Sequence, residues 1–378
     1  MQFTFTGEQH QFRDVVKRFL RDKSPATEVR RLMETDEGFD PVVWKQLSEE
    51  LALPALPVPE IFGGAGFGFV ELSIVMEEMG RSLLCAPYFS SAVLAVSAIL
   101  NAGTENQKQS LLPQIASGSI RATLAMTESN GRWDASAVEL VAQVEKDHFV
   151  LRGEKSFVVD GHTADLLIVV ARLEGSEGDN GISFCSVDGD APGIEKTLLR
   201  TMDPTRKLAR LDFNGVRAQP LGEPGAGFHA LNKTLDQAAI ALSNEMVGGA
   251  QFLMDSAIEY SKIRVQFGRV IGSFQAIKHK CADMLIQLEL AKSAAYYAAA
   301  AVDAGDSCLP ALASMAKSAA SDAYMQIAAE CIQIHGGIGF TWDQDTHLWF
   351  KRAKSSEVFL GDPAYHRELV MQRWEEGI

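Results

Sequence analysis

The apolar residues of this chain change their period twice, and those two changes limit the folds open to it. From Thr6 to about Ala116, positions such as Phe12, Val15, Val16, Phe19 and Leu20 recur at spacings of three and four, and residues 70–84 and 90–100 repeat the pattern. That is the period of helices with one buried face. Proline and glycine clusters at 54–68 and at Ala86-Pro87 mark the loops between them. Past Gly118 the texture becomes short β-rich runs, at 122–127, 139–145, 148–152, 166–171 and 181–187, separated by Gly, Asp and Asn turns. From Gly227 the helical period returns in three long segments, 230–264, 273–304 and 309–335. The chain therefore reads as α+β: a helical domain over 1–118, a β-domain over 119–222 and a helical bundle over 223–378.

Composition narrows the function classes. With 378 residues and 47% of them hydrophobic, the chain can fill sizeable cores. A net charge of -14 argues against nucleic-acid partners, which need a basic face to displace counterions from phosphates. The five cysteines, at 85, 185, 281, 308 and 331, are odd in number and hold no CxxC pair, so they read as thiols and not as a disulfide or zinc framework. The amino-terminal residues lack a basic segment followed by an apolar run, and no apolar stretch approaches the ~18 residues that span a bilayer. The expectation is a cytoplasmic protein without a membrane partner.

Two segments carry chemistry-bearing side chains beside glycine. Arg264-Val265-Gln266-Phe267-Gly268, with Phe274-Gln275 behind it, offers a guanidinium fork for phosphate, although arginine and glycine at a helix end also serve as a cap. In Gln333-Ile334-His335-Gly336-Gly337-Ile338-Gly339 three glycines let backbone N–H groups approach a phosphate or adenine, or simply end a helix and open a loop. His335 has no second ligand at metal-site spacing, so a packed histidine is expected there and no metal.

Together with other signatures in the same order, these segments resemble the acyl-CoA dehydrogenase flavoprotein family over essentially the whole chain. Pro59-Glu60 through Gly66, followed by Glu77-Glu78-Met79-Gly80-Arg81, looks like the family's amino-terminal signature. Thr127-Glu128 with Asp134, and residues 153–161 with Ala164-Asp165, look like its two flavin-side strand motifs. The resemblance implies an amino-terminal α-helical domain, a central β-barrel-like domain and a carboxy-terminal four-helix bundle. It also implies FAD as cofactor, with Met126, Thr127, Phe157 and Val159 along the flavin ring and Arg264, Gln266, Phe267, Gln275, Gln333, Gly336 and Gly337 on the ADP portion. From the residues alone, Met126 and Phe157 would pass for plain β-domain core.

The implied reaction is α,β-dehydrogenation of an acyl-CoA thioester, in which a carboxylate removes the α-proton and the β-hydrogen leaves as hydride to flavin N5. Electron-transferring flavoprotein is the implied acceptor, and a homo- or heterotetramer the implied assembly. Two departures stand out. The family's usual base position, before a Gly-Thr, aligns with Leu360, and its second position with Ala238 or Ala239, so neither holds a carboxylate. Glu245, two helical turns beyond Ala238 on nearly the same face, is the first substitute, and Asp362, which precedes Pro363 in a turn-like context, is the second. In the flavin motif the usual glycine and serine are Arg132 and Trp133, so Arg132 grips the pyrophosphate or the chain's own flavin site is impaired. The alternative to a self-sufficient enzyme is then a partner subunit that completes the FAD site of a mixed α2β2 tetramer, as in bacterial branches that handle steroid side chains.

Overall fold

The structure, a computed structural model, describes residues 5–376. Helices come first: α1 (Gly7–Lys23), α2 (Ala26–Met33), α3 (Pro41–Glu49), α4 (Phe69–Ser82), α5 (Val96–Ala102) and α6 (Glu105–Ala116). Strands follow: β1 (Ala122–Ala125), β2 (Val141–Glu145), β3 (His148–Val159), β4 (Leu166–Leu173), β5 (Ile182–Asp188), β6 (Ile194–Leu199) and β7 (Leu208–Leu221). Then come α7 (Phe228–Ile263), a hairpin of β8 (Val265–Gln266) and β9 (Arg269–Val270), α8 (Gln275–Ala304), α9 (Leu309–His335), α10 (Thr346–Val358) and α11 (Pro363–Glu376). The helix, sheet, helix order is the one the periodicity predicts. No helix among the described residues is long and apolar enough to cross a membrane.

Contacts divide the chain into two compact units. One holds residues 31–68 and 85–238. Its sheet runs β1-β4-β2-β3-β7-β5, with β6 against β7, and β5 also pairs with β4, so the strands close on themselves. Closure removes the unpaired edges that an open sheet would leave. Alternating side chains of β3, β4, β5 and β7, among them Phe149, Leu151, Leu167, Val169, Leu211 and Phe213, fill the interior. Arg172 is buried, and its guanidinium donates to the carbonyls of Ala135, Val138, Gly178 and Asn180 at 2.7–2.8 Å, which ties two loops to the rim of the sheet.

The other unit holds the chain up to Arg30, Phe69–Leu84 and the residues from Ala239 onward. Here α8 and α9 face each other through alanines, with Ile240, Ala298, Ala299, Ala301, Leu312, Ala313 and Ala316 forming one core. Small side chains let these long helices approach closely while keeping a high helix propensity. The helices α4 and α7 also approach closely. A methyl built on Gly80 would stand 1.9 Å from the carbonyl oxygen of Glu245, and one on Gly248 would stand 1.8 Å from that of Glu77. Each helix thus presses a glycine against the other's backbone.

Candidate functional site

In the sheet unit, the segments proposed for the flavin ring are joined directly. Ser156 N–H donates to the Thr127 carbonyl at 2.8 Å and Thr127 Oγ1 donates to the Ser156 carbonyl at 2.7 Å. The pairing of β3 with β7 slips between Lys155 and Val158, and in that bulge Phe157 takes a left-handed backbone, φ 58°. A bulky residue with positive φ carries strain, which persists where the surroundings fix it and concentrates at functional sites. The bulge turns the Phe157 ring outward, 40% exposed, while Met126, Thr127 and Val159 are buried. Of the four, only Phe157 exposes its side chain.

The support is ionic as well. Lys155, fully buried, donates from Nζ to Glu128 Oε1 at 2.6 Å and to the Met126 carbonyl at 2.8 Å, and Glu128 also accepts from the backbone N–H groups of Glu139 and Leu140. Burial holds the Lys155 ammonium below its ordinary pKa, against the opposing pull of Glu128. This pair pins the turn after β1 to β3, and sequence reasoning passed over it. In the following loop Arg132 is exposed and donates to both oxygens of Asp134, each at 3.0 Å. An exposed pair of this kind is worth only about 0–1 kcal/mol, so a phosphate can displace it. Trp133 beside it is half-buried.

In the helical unit, the residues proposed for the ADP portion gather at one end of the bundle. Tyr260, near the end of α7, stacks on His335, the last residue of α9, with ring centroids 4.3 Å apart. Lys280 of α8 pairs with Glu330 of α9 nearby. These contacts bring the β8–β9 hairpin, with Arg264, Gln266 and Phe267, into the same region as Gln275, Gln333, Gly336 and Gly337. All seven are exposed, Phe267 at 92%. The Arg264 side chain has no hydrogen-bond or ion-pair partner among the described residues. A methyl built on Gly336 or Gly337 meets nothing within 4 Å, so the backbone there faces open space. His335 is packed: its Nδ1 lies 2.8 Å from the Cys331 carbonyl, and no cluster of metal-ligating side chains occurs among the described residues.

The two carboxylates considered as bases are both engaged. Glu245 is 5% exposed and its Oε1 accepts from Arg352 Nη1 at 2.8 Å. As a base it would have to part from a buried guanidinium. Asp362 is exposed and accepts from the Tyr365 N–H at 2.8 Å, the geometry of a helix N-cap with Pro363 in the first turn of α11. The intervening turn is held under strain. Leu360, a buried apolar residue, has φ 62° and Gly361 has φ 101°.

Two buried basic residues hold that turn. Lys317 Nζ donates to the carbonyls of Gly361 at 2.9 Å and Glu357 at 3.1 Å and to Ser321 Oγ at 3.1 Å, while His366 Nε2 lies 2.9 Å from the Leu360 carbonyl. Burial lowers the Lys317 ammonium to about 7 and the His366 imidazolium to about 4. A lone lysine in the alanine-rich run of α9 was the available signal for this clamp.

The comparisons agree along the chain. Family models described as the acyl-CoA dehydrogenase N-terminal, middle and C-terminal domains match residues 6–119, 123–216 and 225–374. The acyl-CoA dehydrogenase IpdE2 of Mycobacterium tuberculosis is 33% identical over 370 residues, which cover 97% of this chain and 98% of that protein. The butyryl-CoA dehydrogenase of Megasphaera elsdenii has the same fold, with TM-score 0.92 and 28% identity across 99% of this chain and 100% of that one. A Tcur3481–Tcur3483 steroid ACAD variant superposes with TM-score 0.88 and 29% identity, covering 98% of each chain. The matches span every domain in order, at an identity and coverage that leave one assignment: the chain belongs to the acyl-CoA dehydrogenase family of FAD-dependent oxidoreductases.

Proposed function

We propose that this chain serves the α,β-dehydrogenation of an acyl-CoA thioester as one subunit of a mixed tetramer, holding FAD while a partner chain supplies the base. The observation that carries this reading is Glu245. With Leu360 and Ala238 unable to accept a proton, it is the best-placed carboxylate, and it is committed to Arg352 inside the helical unit. To take up a proton from the weakly acidic α-carbon, it would first have to leave that guanidinium.

FAD, when bound, supplies the two-electron acceptor for the β-hydride. The chain's residues fit such a group. Phe157 offers an exposed ring on a strained bulge, with Thr127 behind it, and Arg132 can exchange Asp134 for a phosphate. Arg264, Gln266, Phe267, Gln275, Gln333, Gly336 and Gly337 offer an unpartnered guanidinium, amides and open backbone for the ADP portion. Large apolar side chains exposed on the helical unit, among them Phe267, Leu285, Ile286, Leu290, Phe340 and Trp342, suit contact with another subunit. The Tcur3481–Tcur3483 relative, described as a steroid enzyme under two names, favours a mixed assembly and a bulky acyl group. Electron-transferring flavoprotein is the proposed acceptor.

The test is to purify the chain alone and with its candidate partner chain, then measure bound flavin and its bleaching by acyl-CoA. Bleaching only in the mixed assembly, and equally with Glu245→Gln, is expected. Bleaching by the chain alone that Glu245→Gln abolishes would assign the base to Glu245 and overturn the partner reading.

A further inference from the structure

A groove of about 630 Å³ in the helical unit lies apart from the residues considered above. One wall is α1, from which Asp14, Lys17, Arg18 and Arg21 project at spacings of three, four and seven, the stripe that shares a helix face. Arg81 and Ser82, at the end of α4, and Ser24, Pro25 and Ala26 form further walls. Phe252 and Trp349 complete the lining, stacked with centroids 3.9 Å apart and planes 17° from parallel. Trp349 is fixed by donating Nε1–H to the Gly80 carbonyl at 3.2 Å, so the aromatic platform is rigid.

The charge balance is unusual for a chain of net charge -14. Arg81 shares Asp255 at 2.6 Å and Arg21 has its neighbour Asp22 at 3.2 Å, but Lys17 and Arg18 have no hydrogen-bond or ion-pair partner among the described residues. Both are exposed on the groove side of α1. Cations on opposing walls suit a ligand with more than one negative charge, and the half-buried Phe252 ring supplies a stacking surface for a planar base. The volume lies within the range of about 300–1,000 Å³ that holds small organic ligands.

We infer that this groove binds a nucleoside phosphate, its phosphates between Lys17, Arg18 and Arg81 and its base against Phe252. Free nucleotide and the nucleotide head of a CoA molecule share that chemistry. The site does not depend on how Glu245 is used, nor on the FAD residues.

The test is calorimetric titration of the flavin-loaded assembly with ADP, with inorganic pyrophosphate and with CoA. ADP is expected to bind more tightly than pyrophosphate and to weaken as salt rises. The double variant Lys17→Glu/Arg18→Glu should lose at least roughly tenfold in ADP affinity. Phe252→Leu should remove the advantage of ADP over pyrophosphate. ADP displaced by stoichiometric CoA would assign the CoA head as the source, and ADP indifferent to CoA would assign a free nucleotide. ADP affinity unchanged by the double charge reversal would overturn the site. Equal binding of ADP and pyrophosphate would overturn the nucleoside, and an acidic peptide that competes more tightly than ADP would replace the ligand with a protein segment.

Discussion

Replacing Glu245 by leucine takes from buried Arg352 the carboxylate 2.8 Å from its Nη1, and the size of that effect follows from the geometry. At the observed separation of 2.8 Å, and with an effective dielectric constant near 20, the attraction is about 6 kcal/mol before any cost is subtracted. Dehydrating both ions cancels most of it, so the intact pair adds little relative to two apolar side chains. Removing one partner is different, because the other stays buried and loses the opposite charge that offset its dehydration, at a cost of about 3–5 kcal/mol. Glu245→Leu and Arg352→Leu should each lower stability by that amount, whereas the double variant should recover most of it. Urea unfolding of all four proteins gives the coupling energy directly, expected to exceed about 2 kcal/mol. Glu245→Gln, which retains an acceptor, should fall between wild type and Glu245→Leu. The reasoning fails if Glu245→Leu costs less than about 1 kcal/mol or if the two single changes simply add.

Further outcomes follow from the same structure. Because the Lys317 pKa falls from 10.5 to about 7 on folding, the unfolded chain binds more protons between those values, so this residue makes stability rise with pH across that window. Urea midpoints of wild type relative to Lys317→Met should therefore improve from pH 7 to pH 10, and a constant difference would contradict the burial argument. Gly337→Ala should leave the stability of the flavin-free protein within about 0.5 kcal/mol, since its methyl meets open space, yet reduce retained flavin on gel filtration if backbone approaches the cofactor there. Phe157→Gly relieves a left-handed backbone worth roughly 1 kcal/mol while losing a partly buried ring, so unfolding should shift little and flavin absorbance per protein should drop.

Much of the fold was legible in the sequence because period and punctuation agree. The three long helices end close to their expected bounds, with α8 and α9 closing at Ala304 and His335. The strands β6 and β7 were not anticipated, and β3 runs on from the expected 148–152 through 153–159, a stretch that only the family resemblance marked as strand. Alanines at inward positions such as Ala209 and Ala218 and the irregularity at Gly215 blur the alternation of β7, while Gly153 splits the hydrophobic run of β3. Within the candidate site, local patterns singled out the glycines, Arg264 and the flavin-side strands. They could not reveal that Arg352 lies against Glu245, 107 positions away, or that Lys317 reaches the Gly361 carbonyl. Such pairings depend on which helices meet, and composition within one helix carries no record of its neighbour.

The crossing of α4 and α7 has a genetic consequence. At Gly80 and Gly248 an added methyl collides with a carbonyl oxygen and not with a side chain that could be trimmed, so shrinking a neighbour cannot rescue Gly80→Ala or Gly248→Ala. Revertants of either lesion should restore the original glycine codon or loosen the loops flanking α4. Adaptation to new acyl groups would therefore proceed above and below this rivet and leave the rivet itself untouched.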